Sequence, residues 1–339
     1  MTLINTQILL ASRPQGAVVP ENFCQREVPV PEPVDRQVLV RHQYLSLDPY
    51  MRGRMNDGKN YAKPQLLDEV MVGGTVGEVI ASRNPGFAVG DCVVGMGGWQ
   101  QYSLVDGDQP GILRKVDTRK IPASAYLGSV GMPGVTAWFG LLKICQPKPG
   151  ETVVVSAASG AVGSTVGQLA KMLGAHAIGI AGGPEKCAYV VNELGFDACV
   201  DYKAHASDAA LYAALKAVTP KGVDALFENV GGRVMDVAFA RMNDFGRVAI
   251  CGMISGYNGE SIPMANPRLI LTQRLRIEGF IVSEHMEIWP EALRELGQGV
   301  SAGKIKYRET IAYGLASAPQ AFIGLLRGEN LGKQLIKLI

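Results

Sequence analysis

The sequence predicts an α/β protein: a doubly wound parallel sheet inserted into a second domain built mostly of β-structure. Three observations carry this expectation. From about Ile121 onward, strand-like and helix-like runs alternate, the pattern of a parallel sheet with crossover helices. The first strand of that series runs into a glycine turn and then an amphipathic helix. Before the series, and again after about Ser301, the chain breaks into short β-like runs punctuated by Gly and Pro.

Taken in order, the N-terminal stretch offers QVLVRHQYLSL (37–47), VGGTVGEVIAS (72–82) and GDCVVGMGGWQQYSLV (90–105), each suited to a compact β domain. The alternating stretch offers six strand candidates: ETVVVSAA (151–158), HAIGIAG (176–182), ACVDY (198–202), VDALFENVG (223–231), RVAICGMI (247–254) and RIEGFIV (276–282). Between them lie PEKCAYVVNELG (184–195), SDAALYAALKAV (207–218) and GRVMDVAFARMN (232–243), which read as helices. Six strands complete a Rossmann-type dinucleotide fold. The tail returns to short runs, KIKYRETIAYGL (304–315) and KQLIKLI (333–339), and is expected to rejoin the first domain. The expected division is therefore 1–125 with 301–339, around a nucleotide domain at 126–300.

The glycine turn is the most informative stretch. Val153, Val154 and Val155 form a β-branched run suited to a strand covered on both faces. Gly160 and Gly163 sit at the mouth of the next helix, where Val162, Val166, Leu169 and Leu173 recur at helical spacing. Small turn residues let the backbone approach a pyrophosphate, and the helix N-terminus offers N–H groups and positive potential. The fingerprint is incomplete, since Ala158 stands where its first glycine belongs, and a turn kept for packing alone stays open.

Composition narrows the function. The chain has 339 residues, 47% of them hydrophobic and 19% charged, enough for about two ordinary domains. A net charge of +2, dispersed basic residues and 7% aromatics argue against nucleic acid. No apolar run reaches about 18 residues, so no membrane span is expected, and the N-terminus lacks an export signal. A cytoplasmic location follows as the expectation. Six cysteines and four histidines are scattered without metal-ligand spacing, so reduced thiols and no metal are expected. ASGAVG is not a nucleophile elbow.

The second strand ends IGIAGGPEK (178–186), with Gly182 and Gly183 where an NAD site would carry an acid. A glycine pair leaves room for a 2′-phosphate and Lys186 could neutralise it, so NADPH is favoured over NADH. Tyr202 could pack on the adenine or bond the same phosphate. A solvated helix lysine and a strand-end tyrosine are the bland alternatives.

At this point several motifs converge: PENF (20–23), YLSLDPYMRGRM (44–55), GMPGVTAW (131–138), AASGAVGS (157–164), GGPEK (182–186), ENVGG (228–232), CGMISGYN (251–258), GFIV (279–282) and GENLGK (328–333). Together they resemble the zinc-independent branch of the medium-chain dehydrogenase/reductases. That branch holds leukotriene hydroxydehydrogenase/prostaglandin reductases, plant alkenal double-bond reductases and bacterial curcumin reductases. The resemblance implies a GroES-like β domain assembled from both chain ends, and a homodimer joined through the nucleotide-domain sheets. It implies that Gly160, Ala161 and Val162, with Gly163, face the pyrophosphate, and that Lys186 and Tyr202 take the adenosine-phosphate end. Asn229, Cys251, Phe280 and Val282 would line the ribose and nicotinamide, Met132 would lie near the nicotinamide or substrate, and Asn330 would reach the cofactor from the C-terminal segment.

The implied reaction reduces the carbon–carbon double bond of an α,β-unsaturated ketone or aldehyde, curcumin-like or a simple alkenal. Hydride reaches the β-carbon from NADPH and charge develops on the carbonyl oxygen. A tyrosine suits that oxygen, because its proton is retained at neutral pH. Tyr257 follows the fifth nucleotide-domain strand at the ligand-binding edge and is the first candidate, acting directly or through the cofactor ribose. Tyr50 in DPYMRG is the second, as donor or pocket wall, with Asp48 and Arg52 expected to brace its loop. Packed turn tyrosines remain the plain reading of both. Rival functions are an NADPH quinone reductase, an alcohol dehydrogenase acting on a hydroxylated lipid, and a cofactor-binding sensor or scaffold without turnover.

Overall fold

The computed structural model describes residues 3–109, 111 and 113–339. The chain divides into two compact units: one of Met1–Leu127, Glu309–Asn330 and Gln334–Ile339, the other of Gly128–Arg308 and Leu331–Lys333.

The first unit begins with β1 (Ile4–Leu10) and β2 (Phe23–Pro29), an antiparallel pair. Next come β3 (Gln37–Ser46), the short helix α1 (Tyr50–Arg54), β4 (Thr75–Ser82), β5 (Cys92–Gly95), β6 (Tyr102–Asp106) and β7 (Leu113–Lys115). Of the runs read as β-like, 37–47 holds β3, 72–82 holds β4, and 90–105 holds β5 and most of β6, with register shifts where β3 pairs β4. An aromatic cluster anchors the core: the Phe23 and Trp99 rings stack at 5.4 Å, and Phe322 meets Trp99 edge-on at 5.6 Å. His42 is buried with neither ring nitrogen partnered among the described residues, and burial lowers its pKa to about 3. It is a neutral core histidine. Gly97 makes room for it, since a Cβ there would fall 2.3 Å from Nε2.

The second unit opens with α2 (Met132–Phe139) and continues β8 (Thr152–Ser156), α3 (Ala161–Met172), β9 (His176–Ala181), α4 (Pro184–Asn192), β10 (Ala198–Asp201), α5 (Asp208–Val218), β11 (Val223–Glu228), α6 (Gly232–Phe239), β12 (Met242–Ile250), α7 (Arg268–Thr272), β13 (Arg276–Gly279) and α8 (Trp289–Ser301). The six strands lie in the order β10-β9-β8-β11-β12-β13 and all run parallel. This is the doubly wound α/β arrangement that the alternation predicts. Val153, Val154 and Val155 are fully buried at its centre, each contributing about 1.5–3 kcal/mol of apolar burial.

The tail adds β14 (Glu309–Tyr313), α9 (Ala318–Leu326) and β15 (Lys333–Lys337), with β15 between β14 and β3 in the first unit's sheet. Helix α9 is a departure from the β-only reading of this tail. Its apolar residues Phe322, Ile323 and Leu325 are buried in the first unit's core. Among the described residues no helix is long and apolar enough to cross a membrane.

Candidate functional site

Helix α3 starts where β8 ends, and no side chain caps its N-terminus. Its first-turn N–H groups thus face outward as donors for an anion. The turn is tight: the Gly160 N–H donates to the Ala157 carbonyl at 2.9 Å, and Ala157 sits at φ 49°, a left-handed conformation that a Cβ disfavours. Gly163 fits because a Cβ there would lie 2.5 Å from the Ala157 carbonyl oxygen. Ala161 and Val162 occupy the first turn between them.

The missing first glycine has a structural answer. Ala158 is fully buried, and the methyl it adds is met by Gly179 on the neighbouring strand β9. A Cβ on Gly179 would fall 2.8 Å from the Ala158 Cβ. The absent side chain at Gly179 is what leaves room for the Ala158 methyl.

The remaining candidates of this unit sit along the C-terminal edge of the same sheet, in strand order. At one end, Lys186 and Tyr202 follow β9 and β10. Asp201 fixes the two turns together, accepting from the Gly183 N–H at 2.7 Å and the Lys203 N–H at 3.0 Å. Gly182 is needed there, because a Cβ would fall 2.9 Å from both the Tyr202 ring and the Lys203 side chain. Burial, and then the charge of Lys203, lowers the Lys186 pKa. Lys203, which the sequence does not single out, is brought to Gly182 and Lys186 by the Asp201 hydrogen bonds.

Past the glycine turn, Asn229 follows β11. Its side-chain amide donates to the Ser156 carbonyl at 2.8 Å, and its backbone N–H to the Ser156 hydroxyl at 2.8 Å. Glu228, also unread from sequence, supports this corner. One carboxyl oxygen accepts from Ser156 Oγ at 2.8 Å, Val230 N at 2.6 Å and Gly231 N at 2.8 Å. The other, Oε2, is buried without a partner among the described residues. Burial raises the Glu228 pKa against these hydrogen bonds.

A carboxyl whose folded pKa lies above its unfolded value stabilises fully at low pH and loses that contribution as pH rises through the folded pKa. Glu228→Gln keeps the acceptor and removes the titration. Its stability relative to wild type is therefore expected to improve as pH rises from about 5 to 8. Glu228→Ala strands buried donors and is expected to cost roughly 1–3 kcal/mol at every pH. Urea unfolding across that range checks both; parallel pH curves for wild type and Glu228→Gln would count against the shift.

After β12, the Cys251 N–H donates to the Glu228 carbonyl at 2.9 Å, and burial with the Glu228 charge pushes the thiol up to about 12. Tyr257 is half-buried, its hydroxyl over Gly252, where a Cβ would fall 3.2 Å from that oxygen and 3.3 Å from the Asn229 carbonyl. Burial raises the phenol's pKa. Beyond β13, the Phe280 ring lies 5.4 Å from that of Phe139, and the Val282 carbonyl accepts from Trp289 Nε1 at 3.1 Å. Met132 opens α2 and packs against the same core cluster. Leu331–Lys333 also belong to this unit, and the Gly332 N–H donates to the Ser159 carbonyl in the glycine turn at 3.0 Å.

Tyr50 and Asn330 belong to the other unit. Burial first, then the Asp48 charge, raises the Tyr50 phenol well above its ordinary range. Around it, Ser46 Oγ donates to Asp48, and the buried Arg52 donates to the Gly16 carbonyl and to Asn56 Oδ1, both at 2.7 Å. Among the described residues no group of three or more His, Cys, Asp or Glu gathers to hold a metal ion.

Residues 6–113 match a family model described as the N-terminal domain of oxidoreductase, and residues 161–298 one described as zinc-binding dehydrogenase. The chain is 47% identical to the NADPH-dependent curcumin reductase of Escherichia coli (strain K12), over 98% of this chain and 97% of that one. It is 44% identical to the NADP(+)-dependent 2-alkenal reductase of Nicotiana tabacum, over 88% and 86%. Among solved structures it is similar to CurA in complex with NADPH from Vibrio vulnificus, with a TM-score of 0.92, 45% identity, and 98% and 99% of the two chains covered.

Proposed function

Because this chain belongs to the zinc-independent branch of the medium-chain dehydrogenase/reductase family, we propose that it is an NADPH-dependent reductase of the carbon–carbon double bond in α,β-unsaturated ketones and aldehydes. The observation that carries the reading is the order of groups along one sheet edge. Lys186, Tyr202 and Lys203 stand at β9 and β10, uncapped helix N–H groups at β8, and Asn229, Cys251 and Tyr257 at β11 and β12. A dinucleotide laid across the crevice outside the carboxyl ends of a parallel sheet meets these groups in that sequence.

NADPH fits this edge. Gly160 and Gly163 let the turn close against the Ala157 carbonyl, which leaves the uncapped N-terminus of α3 for a pyrophosphate, and the paired lysines suit a 2′-phosphate. When bound, the cofactor supplies a hydride to the substrate's β-carbon. Tyr257 donates a hydrogen bond as charge builds on the carbonyl oxygen, directly or through the ribose hydroxyl, and the α-carbon then takes a proton. Tyr50 is the second candidate donor, since burial keeps its phenol protonated. Cys251 stays a thiol at neutral pH, which protects it from conjugate addition to the electrophiles the enzyme would handle. The enzyme is proposed to act in the cytoplasm as a homodimer; β13, the last strand of the parallel sheet, offers an edge for sheet extension.

The test is a panel of an alkenal, a benzalacetone-type ketone, curcumin and a quinone, each with NADPH, with product identity read by mass and NMR. A saturated carbonyl product is expected. Turnover of the quinone alone would replace the reading with a quinone reductase, and NADPH binding without any turnover would favour a sensor.

A further inference from the structure

We infer that Cys187 and Cys199 form a redox modification site, a dithiol that a hydroperoxide closes to a disulfide. Cys187 lies on α4 and Cys199 on β10, and their sulfurs are 3.0 Å apart. A disulfide bond is about 2.05 Å long, so the sulfurs need approach by only about 1 Å. Both residues are half-buried, which leaves a small oxidant a path to the pair.

The geometry orders the steps. Cys199 donates its S–H to Cys187, which makes Cys187 the better placed nucleophile and leaves the proton on Cys199. The Cys187 sulfur attacks the peroxide, the O–O bond breaks, the departing oxygen takes the Cys187 thiol proton and leaves as an alcohol (water when the oxidant is hydrogen peroxide), and a sulfenic acid forms. The Cys199 sulfur then attacks that sulfenic sulfur; the S–S bond forms, the S–O bond breaks, and water leaves with the thiol proton. Two electrons pass from the thiols to the peroxide. Burial raises both thiols above their ordinary range, so little thiolate is present at neutral pH and the pair reacts slowly.

The consequence rests on the cofactor reading given above. Lys186 immediately precedes Cys187, and Asp201, Tyr202 and Lys203 closely follow Cys199. A bond between the sulfurs ties α4 to β10 at the two segments that present the lysines. It therefore alters the grip on a 2′-phosphate and leaves the rest of the dinucleotide edge in place.

The experiment treats the reduced full-length protein with hydrogen peroxide, blocks remaining thiols by alkylation, and maps the peptides without reduction. The expected result is a linked peptide pair carrying Cys187 and Cys199, two hydrogens lighter than the sum, restored by dithiothreitol and absent from Cys187→Ser and Cys199→Ser. NADPH affinity, read by cofactor fluorescence, is expected to change about five- to tenfold on oxidation of wild type and not of either variant. Alkylation of both cysteines after peroxide, or oxidation to sulfinic acid without a link, overturns the site. A link with unchanged NADPH affinity overturns its effect on the cofactor. A linked protein in which Lys186→Ala leaves cofactor preference untouched overturns the phosphate reading alone.

Discussion

Tyr257→Phe is expected to lower kcat about a hundredfold, the usual cost of removing one hydrogen-bond donor from a developing oxyanion. The hydroxyl is the only group the substitution removes, so the half-buried ring keeps its place and the melting temperature should barely move. Burial raises the phenol's pKa, so the donor keeps its proton across the neutral and mildly alkaline range. Its loss is therefore a loss of transition-state stabilisation at every pH in that range. The two routes separate kinetically. A hydroxyl acting directly on the substrate oxygen gives a fall in kcat with the NADPH KM unchanged, whereas one that holds the ribose also raises the NADPH KM. Steady-state kinetics with the best enone of the panel, alongside circular dichroism, decide between them. Full activity in a folded Tyr257→Phe protein would end the proposed role.

The sheet was legible because its signals are local. A β-branched run, a glycine turn and an apolar helical stripe occupy consecutive residues from Val153 to Leu173, and the same alternation marks the five strands that follow. Helix α9 was not, because residues 318–326 make a short helix without a side-chain cap that is fixed by packing of Phe322 on Trp99 over two hundred residues earlier. The site shows the same division. Gly163 is readable from its spacing, while the compensation of Ala158 by Gly179 needs the pairing of β8 with β9. Glu228 ends an apolar strand and looks like a surface carboxylate until the sheet brings Ser156, 72 residues away, to its side. Lys203 acquires meaning only when the Asp201 hydrogen bonds join the turns after β9 and β10.

Lys186→Ala is expected to raise the NADPH KM about 10- to 100-fold and to leave the NADH KM within about twofold, the difference expected for one charge-assisted hydrogen bond to a phosphate. The electrostatics of the reduced, ligand-free edge favour this. Lys186 is half-buried and its pKa is lowered by burial and by Lys203, so two like charges are held close together at a cost. A 2′-phosphate placed at that edge neutralises both and relieves the repulsion; NADH, with a hydroxyl there, does not. Lys203→Ala should act in the same direction and less strongly, because Lys203 is exposed and its charge is screened by solvent. The double variant should fall short of the product of the two, since each lysine alone is freed from the other's repulsion. Rising salt should raise the wild-type NADPH KM and have little effect on that of the double variant. Equal losses for NADPH and NADH in Lys186→Ala would place this lysine outside the phosphate contact and return Gly182 to a role in packing Tyr202 alone.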